Sequence, residues 1–130
     1  CGIDLDTHRG EIASGNLSAL RGCPFVLGSA EDIGGRIGRG LLRSSGVSPV
    51  SKATSENVET LLALCEQGVG ACFCPENLLH TALSPAQLAH LHILPLCPEA
   101  SYPICFGYLS RSYPWSVLSE FIRIAREQTA

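Results

Sequence analysis

The sequence predicts an α/β fold in which a mostly parallel sheet is flanked by helices. Short apolar runs, which are typical of buried strands, alternate along the chain with segments of helical periodicity. The clearest unit is TSENVETLLALCEQGVGACFCP, residues 54–75, which predicts a loop, a helix, a turn and a strand that ends at a proline. Strands and helices that follow one another in this way form parallel sheets with right-handed crossovers.

An apolar stripe predicts the helix of this unit. The residues that recur with the spacing i, i+3, i+4 and i+7 are Val58, Leu61, Leu62 and Cys65. Thr54 and Ser55 are expected to supply hydroxyls to the free N–H groups of the first turn. Gly68 follows the stripe, where a left-handed C-cap is expected.

The run at residues 71–74 is apolar without alternation, as in a strand that is covered on both faces. Pro75 ends this strand and suits the first position of a further helix. A buried parallel strand that ends at a helix start presents free N–H groups at the carboxyl edge of a sheet. Open α/β sheets bind their ligands at that edge.

The residues before this unit predict two strands around a helix. Residues 1–16 are polar and aperiodic and predict a loose N-terminal segment, and residues 17–21 predict one helical turn. The remaining predicted elements are a strand at 24–27, a helix that leads from Asp32 to Gly46, and an edge-like strand at 47–53. The arginines of this helix, Arg36, Arg39 and Arg43, fall on a different side from its apolar residues.

The residues after this unit predict short helices, two strands and a closing helix. The predicted helices lie at 75–83 and 84–88, the strands at 91–96 and 103–110, and the last helix follows Pro114.

Composition excludes several classes of protein. A chain of 130 residues with 45% hydrophobic and 16% charged residues is one globular domain. The net charge of −3 argues against nucleic-acid binding by this chain alone. The sequence shows neither a membrane span nor a signal peptide. Because it contains no Met, we expect a piece of a longer protein.

The cysteines predict reduced, mostly buried thiols in a cytoplasmic protein. Seven Cys occur, without a C-x-x-C pair. Cys72 and Cys74 share one face of a strand, a poor geometry for bridging each other. A disulfide framework or a metal site is the alternative. Cys72 or Cys74 could also be a nucleophile, and a helix N-terminus would lower the pKa of Cys74, but the sequence points to no base.

Two other motifs predict no chemistry. The glycine-rich run at residues 34–40 lies within a helix and fits neither phosphate-binding pattern, so it predicts close helix packing with a solvated basic face. His90 and His92 lack a third or fourth metal ligand at suitable spacing. We therefore expect no catalytic residue, no metal and no cofactor.

Hydroxyl and thiol residues recur at the ends of the predicted strands. Ser29, Thr54 with Ser55, and Cys74 each follow a strand and precede a helix. Simple N-caps would explain each of them separately. Their recurrence along one sheet edge predicts instead a site for a small anionic or polar ligand.

Several motifs resemble the effector-binding domain of LysR-type transcriptional regulators. They are PFVLGS with the helix that follows, SGVSPVSKATSENVETLLALCEQGVGACFCPENLL, and the ending YLSRSYPWSVLSEFIRIARE. The resemblance covers residues 17–127. It implies a periplasmic-binding-protein-like (type 2) subdomain, with residues 17–102 as the second effector-binding subdomain and residues 103–130 as the strand and helix that close the domain.

The resemblance also implies a function. Such a domain senses a small-molecule effector for a bacterial, cytoplasmic transcription regulator that binds DNA through a domain absent from this chain. The residues of this chain that match the family's effector contacts are Ser29, Thr54, Ser55 and Cys74. The family forms homo-dimers or tetramers through a face that corresponds to residues 32–45 and 47–53. The resemblance implies no enzyme activity and no membrane contact.

Two other functions stay open at this point. A solute-binding protein of a transport system shares this architecture, although unpaired cysteines disfavour export. A thiol enzyme is the third hypothesis.

Overall fold

The strands β1 (Pro24–Gly28) and β2 (Val50–Ser55) form a parallel two-stranded sheet in the computed structural model. The structure describes residues 3–97, 100–103, 105, 107 and 115–129. Its α-helices are α1 (Arg9–Ala13), α2 (Ile33–Ser44), α3 (Val58–Glu66), α4 (Glu76–Ala82), α5 (Pro85–Leu88) and α6 (Ser116–Thr129). A 3-10 helix, Ser18–Leu20, forms the single turn predicted at residues 17–21. The α/β fold with a parallel sheet is therefore confirmed, and the sheet of the described residues is small.

Strand β1 is the most deeply buried element. Phe25, Val26 and Leu27 are each at most 1% exposed. The buried residues that cluster with Phe25 and Leu27 are Ile12, Leu17, Cys23, Leu42 and Val47. The apolar run at residues 24–27 thus forms the strand that the sequence predicts, and α2 crosses over from it to β2.

Glycines end α2 and α3 in the same way. Gly46 and Gly68 have φ values of +68° and +76°. The N–H of Gly68 donates to the carbonyl of Cys65 at 2.9 Å, and that of Val69 donates to the carbonyl of Leu64 at 3.0 Å. These two bonds define a Schellman motif, which confirms the predicted C-cap at Gly68.

Helix α2 packs closely on the rest of the chain through two buried glycines. A Cβ on Gly35 would collide with the Ser29 carbonyl, and one on Gly38 would collide with the Phe73 ring. The Phe73 ring stacks on that of Phe25, with centroids 6.0 Å apart. Close packing by the glycine-rich run is therefore confirmed.

Residues 71–74 join the sheet by a single bridge, from Ala71 to Phe25, and not by the predicted strand. The segment still alternates between two faces. Ala71 and Phe73 pack against the cluster around β1. Cys72 and Cys74 pack against a second cluster, formed by Leu62, Leu79 and Leu83. Because a hydrophobic cluster lies on each side, the prediction of a segment covered on both faces is confirmed in its packing.

Other predicted boundaries need correction. Residues 9–13 form α1, whose Ile12 is 1% exposed, within the segment expected to be loose. Strand β2 begins and ends later than predicted, so Thr54 and Ser55 belong to the strand. Residues 91–96 form no strand, although Leu94 and Leu96 pack against the first cluster. The strand predicted at 103–110 lies largely outside the described residues.

The C-terminal helix is confirmed as α6. Trp115, which directly precedes this helix, is 72% exposed, whereas Leu118 and Ile122 on the helix are half-buried. Within the described ranges, we find no helix with the length and apolar character needed to cross a membrane.

Candidate functional site

The register of the sheet brings three of the predicted site residues to one edge. Leu27 lies opposite Thr54, and Gly28 lies opposite Ser55. Ser29 follows Gly28 directly, so it leaves the sheet one residue beyond the level of Ser55. Ser29, Thr54 and Ser55 therefore lie together at the carboxyl edge of the two parallel strands, where α/β sheets bind ligands.

The start of α2 is already occupied by a carboxylate. Asp32 Oδ2 accepts a hydrogen bond from the Gly35 N–H at 3.3 Å, and Ser29 Oγ accepts one from the Glu31 N–H at 3.3 Å. Asp32 and not Ser29 is thus the N-cap of α2. Its negative charge lies at the positive end of the helix dipole and competes with any anion that approaches there.

The start of α3 is capped by Asn57. Its Oδ1 accepts a hydrogen bond from the Thr60 N–H at 3.0 Å, while Ser55 Oγ accepts one from the N–H of Asn57 at 3.1 Å. The prediction that Thr54 and Ser55 cap this helix is therefore wrong. Ser55 instead stabilises the turn that leads from β2 to Asn57, and Thr54 is an exposed residue of β2.

Arg39 adds a positive charge to this edge. Its Nη2 donates to the carbonyl oxygen of Gly28 at 3.1 Å. Its Nε is buried and has no hydrogen-bond partner among the described residues. The guanidinium therefore lies beside the last residue of β1, one residue before Ser29.

The sequence did not reveal the role of Arg39, because the helical periodicity assigned all three arginines of α2 to a solvated face. Arg36 and Arg43 are exposed as expected, whereas Arg39 is half-buried. A signal for this difference exists in the geometry of helices. Side chains tilt towards the helix N-terminus, so a long side chain two turns into α2 can reach back to the strand that precedes it.

Cys74 lies apart from the other three predicted site residues in its packing. It packs against the Leu62, Leu79 and Leu83 cluster, and its Sγ donates to the Pro75 carbonyl at 3.2 Å. Burial, followed by the nearby Cys65, raises the pKa of the Cys74 thiol. The expectation that a helix N-terminus lowers this pKa is wrong, because removal from water outweighs the short helix α4.

The described residues form no metal site, and the exposed apolar face of α6 does not include this sheet edge. Among the residues that the structure describes, no group of three or more His, Cys, Asp or Glu side chains is placed to hold a metal. One face of α6 exposes Val117, Phe121 and Ile124 to solvent, and none of the predicted site residues lies on this helix. The candidate site is thus an open sheet edge with two hydroxyl-bearing strand ends and one guanidinium.

Comparison with protein families gives one match. The model described as the LysR substrate binding domain matches residues 9–130. Comparisons with curated proteins and with solved structures gave no match.

Proposed function

This chain belongs to the LysR substrate binding domain family, and we propose that it is the effector-sensing domain of a bacterial LysR-type transcription regulator. The observation that carries the proposal is the family match over residues 9–130, which is nearly the whole chain. The match favours a regulator over the solute-binding protein and the thiol enzyme. The domain would bind a small molecule and not transform it.

The proposed architecture is a periplasmic-binding-protein-like (type 2) domain, in which an effector binds between two subdomains. Residues 17–102 would form the second subdomain, and residues 103–130 would close the domain. The parallel pairing of β1 with β2 and the crossover through α2 support this assignment. In this proposal, DNA is bound by a domain outside the chain, and the regulator is a cytoplasmic dimer or tetramer.

Ser29, Thr54, Ser55 and Cys74 would line one wall of the effector site. The first three support a polar or anionic effector, because they lie within two residues of the carboxyl end of the paired strands. A hydrogen bond to a neutral group contributes about 0.5–1.5 kcal/mol and one to a charged group about 1.5–3 kcal/mol. One wall therefore gives weak binding, and the second wall must exclude water from the other side of the effector.

Charge at the site favours a particular orientation of an anionic effector. The Asp32 carboxylate would repel a negative group at the start of α2. The Arg39 guanidinium at the end of β1 would attract it. The negative group of the effector would thus lie towards β1, within reach of Arg39, and its neutral polar groups would meet Thr54 and Ser55.

The proposal is tested by Thr54→Val in the complete regulator that contains this chain. Valine keeps the volume of threonine and its strand preference, but it removes the hydroxyl. We expect the effector concentration for half-maximal induction of a reporter gene to rise about tenfold, the equivalent of one hydrogen bond of 1.4 kcal/mol. DNA binding without effector should not change.

The matched control is Thr81→Val, which removes an exposed hydroxyl that donates to the Asn77 carbonyl within α4. It should leave induction unchanged. Normal induction by the Thr54→Val regulator would show that this position does not contact the effector.

A further inference from the structure

The pairing of the two strands is irregular at one point in the sheet. On β1, the chain advances by one residue, from Phe25 to Val26. Their partners on β2 are Ser51 and Ala53, which lie two residues apart. Lys52 is therefore the extra residue of a β-bulge in β2. The Ser51 hydroxyl spans this extra residue and donates to the Ala53 carbonyl at 3.5 Å.

The bulge lies on the outer strand of the sheet. Strand β1 has neighbours on both of its edges, because it pairs with β2 on one side and bridges to Ala71 on the other. In the part of the sheet that the structure describes, β2 has no partner strand besides β1. Its outer edge therefore offers backbone N–H and C=O groups to an additional strand.

The composition of β2 would suit such an additional strand. Its six residues, VSKATS, include no proline or glycine, and valine and threonine favour strands. Short segments with high β-propensity and little charge assemble into extended sheets between copies of a chain. Only Lys52 gives this strand a charge, and Lys52 is also the only lysine of the chain.

Two effects of Lys52 oppose the addition of a strand. The extra residue bends β2 and interrupts the regular spacing of donors and acceptors along its edge. Lys52 is exposed and lies near the middle of the strand, so pairing of two β2 strands would bring two ammonium groups close together. Like charges on paired strands are destabilising. A bulge and a lysine are two features by which natural edge strands avoid uncontrolled pairing.

We propose that the Lys52 bulge prevents a further β-strand, including β2 of a second copy, from pairing along the full outer edge of β2. The proposal rests on the register of the sheet, on the exposed position of Lys52 and on the composition of the strand. It does not depend on the identity of an effector or on the proposed effector site.

The bulge leaves the start of the strand accessible. Val50 precedes Lys52 by two residues and is 44% exposed. A second copy can therefore contact Val50 without pairing across the bulge. Contact between two copies then stops at Lys52 and does not continue into a sheet that grows by the addition of further copies.

The first test removes the charge and keeps the extra residue. Lys52→Val should make the chain form β-rich aggregates about fivefold faster, the rate change that about 1 kcal/mol of like-charge repulsion produces. Thioflavin T fluorescence and light scattering at equal protein concentration measure this rate. The matched control is Lys52→Glu, which keeps a charge at the same position and should aggregate as slowly as the parent chain.

The second test removes the bulge itself. Deletion of Lys52 joins Ser51 directly to Ala53, so each keeps its partner on β1 and the outer edge becomes regular. We expect this variant to aggregate faster than Lys52→Val, because it loses the charge and the bend together. Hydrogen exchange of the aggregates should show protected amides at residues 50–55, because these residues form the edge that adds the next copy.

A further variant separates strand pairing from loss of stability. Gly68→Ala destabilises the end of α3 and leaves β2 unchanged. Aggregation of Gly68→Ala as fast as that of Lys52→Val would show that aggregation follows unfolding, and it would overturn the proposal. Lys52→Val that aggregates at the parent rate, or aggregates in which residues 50–55 exchange freely, would overturn it as well. These comparisons decide the question even if the deletion variant does not fold.

Discussion

Arg39 shows how one side chain can change the charge of a site that backbone geometry builds. The sheet edge contributes uncharged hydroxyls, and the start of α2 is occupied by the negative Asp32. Without Arg39, this edge would repel an anion. The single hydrogen bond from Nη2 to Gly28 leaves donors of the guanidinium for a ligand, and the buried Nε has no partner among the described residues.

We therefore expect Arg39→Met in the complete regulator to weaken the response to an anionic effector. Methionine keeps much of the apolar stem but removes the charge, and a lost charged hydrogen bond of about 1.5–3 kcal/mol corresponds to about ten- to a hundredfold more effector for half-maximal induction. Titration of the reporter response measures it.

The control for this variant is Arg36→Met, on the same helix and exposed. It should respond as the parent protein does. Equal responses of the two variants would mean that Arg39 serves only to hold the end of β1.

The residue scale also shows which site features a sequence can predict. Ser29, Thr54 and Ser55 were predicted at one edge because strand ends follow from apolar runs, and the register places Thr54 opposite Leu27 and Ser55 opposite Gly28, the residue before Ser29. The caps were not predicted correctly. Asp32 and Asn57 are local competitors for the same N–H groups, and which of several neighbouring polar residues caps a helix depends on where the preceding strand ends.

At the scale of elements, helix ends were the most predictable feature. A glycine after the last apolar position predicts a left-handed residue, and both Gly46 and Gly68 have positive φ. The physical reason is local. The left-handed conformation costs a residue that has a Cβ roughly 1 kcal/mol or more at any position in the chain.

Two glycine substitutions separate this backbone effect from packing. A Cβ would meet no atom within 4 Å at either Gly68 or Gly40, but only Gly68 has a positive φ. Gly68→Ala should lower the free energy of unfolding by about 1 kcal/mol. Gly40→Ala, inside α2, should raise it by about 0.5–1 kcal/mol because alanine favours a helix.

Urea denaturation of both variants measures these changes. If Gly68→Ala were as stable as the parent chain, α3 would end without the left-handed residue.

Strands were less predictable than helix ends because their formation depends on non-local pairing. Residues 71–74 have the composition of a buried strand and both faces covered, yet only Ala71 makes a bridge. At the carboxyl end of β1, the carbonyl of Gly28 accepts a hydrogen bond from the side chain of Arg39. Whether an apolar run completes a ladder is decided by the partners beside it, which a single sequence does not specify.

At the scale of the whole molecule, the segment 71–74 connects two hydrophobic clusters. The first cluster lies around β1 with α2, and the second lies between α3 and α4. This layering follows from the period of two in an extended chain, which sends alternate side chains to opposite sides. The α/β class was predictable for the same reason, because periods of two and 3.6 are visible in the sequence.

The outer edge of β2 is the feature with consequences beyond one copy of the chain. In the described part of the sheet, β2 pairs only with β1, so its other edge presents unpaired backbone groups. Val50 on this strand is 44% exposed. This edge and α2 coincide with the face that the family resemblance assigned to self-association, and exposed strand edges pair readily with a second chain.

We accordingly predict that Val50→Lys weakens self-association of the chain. Removing a half-exposed valine from an interface and adding a charge should cost about 1–2 kcal/mol, or about five- to thirtyfold in Kd. The control is Val117→Lys, which makes the same change at a valine of α6 that is 78% exposed. Sedimentation equilibrium should show weaker association for Val50→Lys alone. At a paired strand edge, a lysine in place of Val50 would lose either the hydration of its charge or the apolar contact that the valine makes. Equal association constants for both variants and the parent chain would therefore place the contact between copies on another surface.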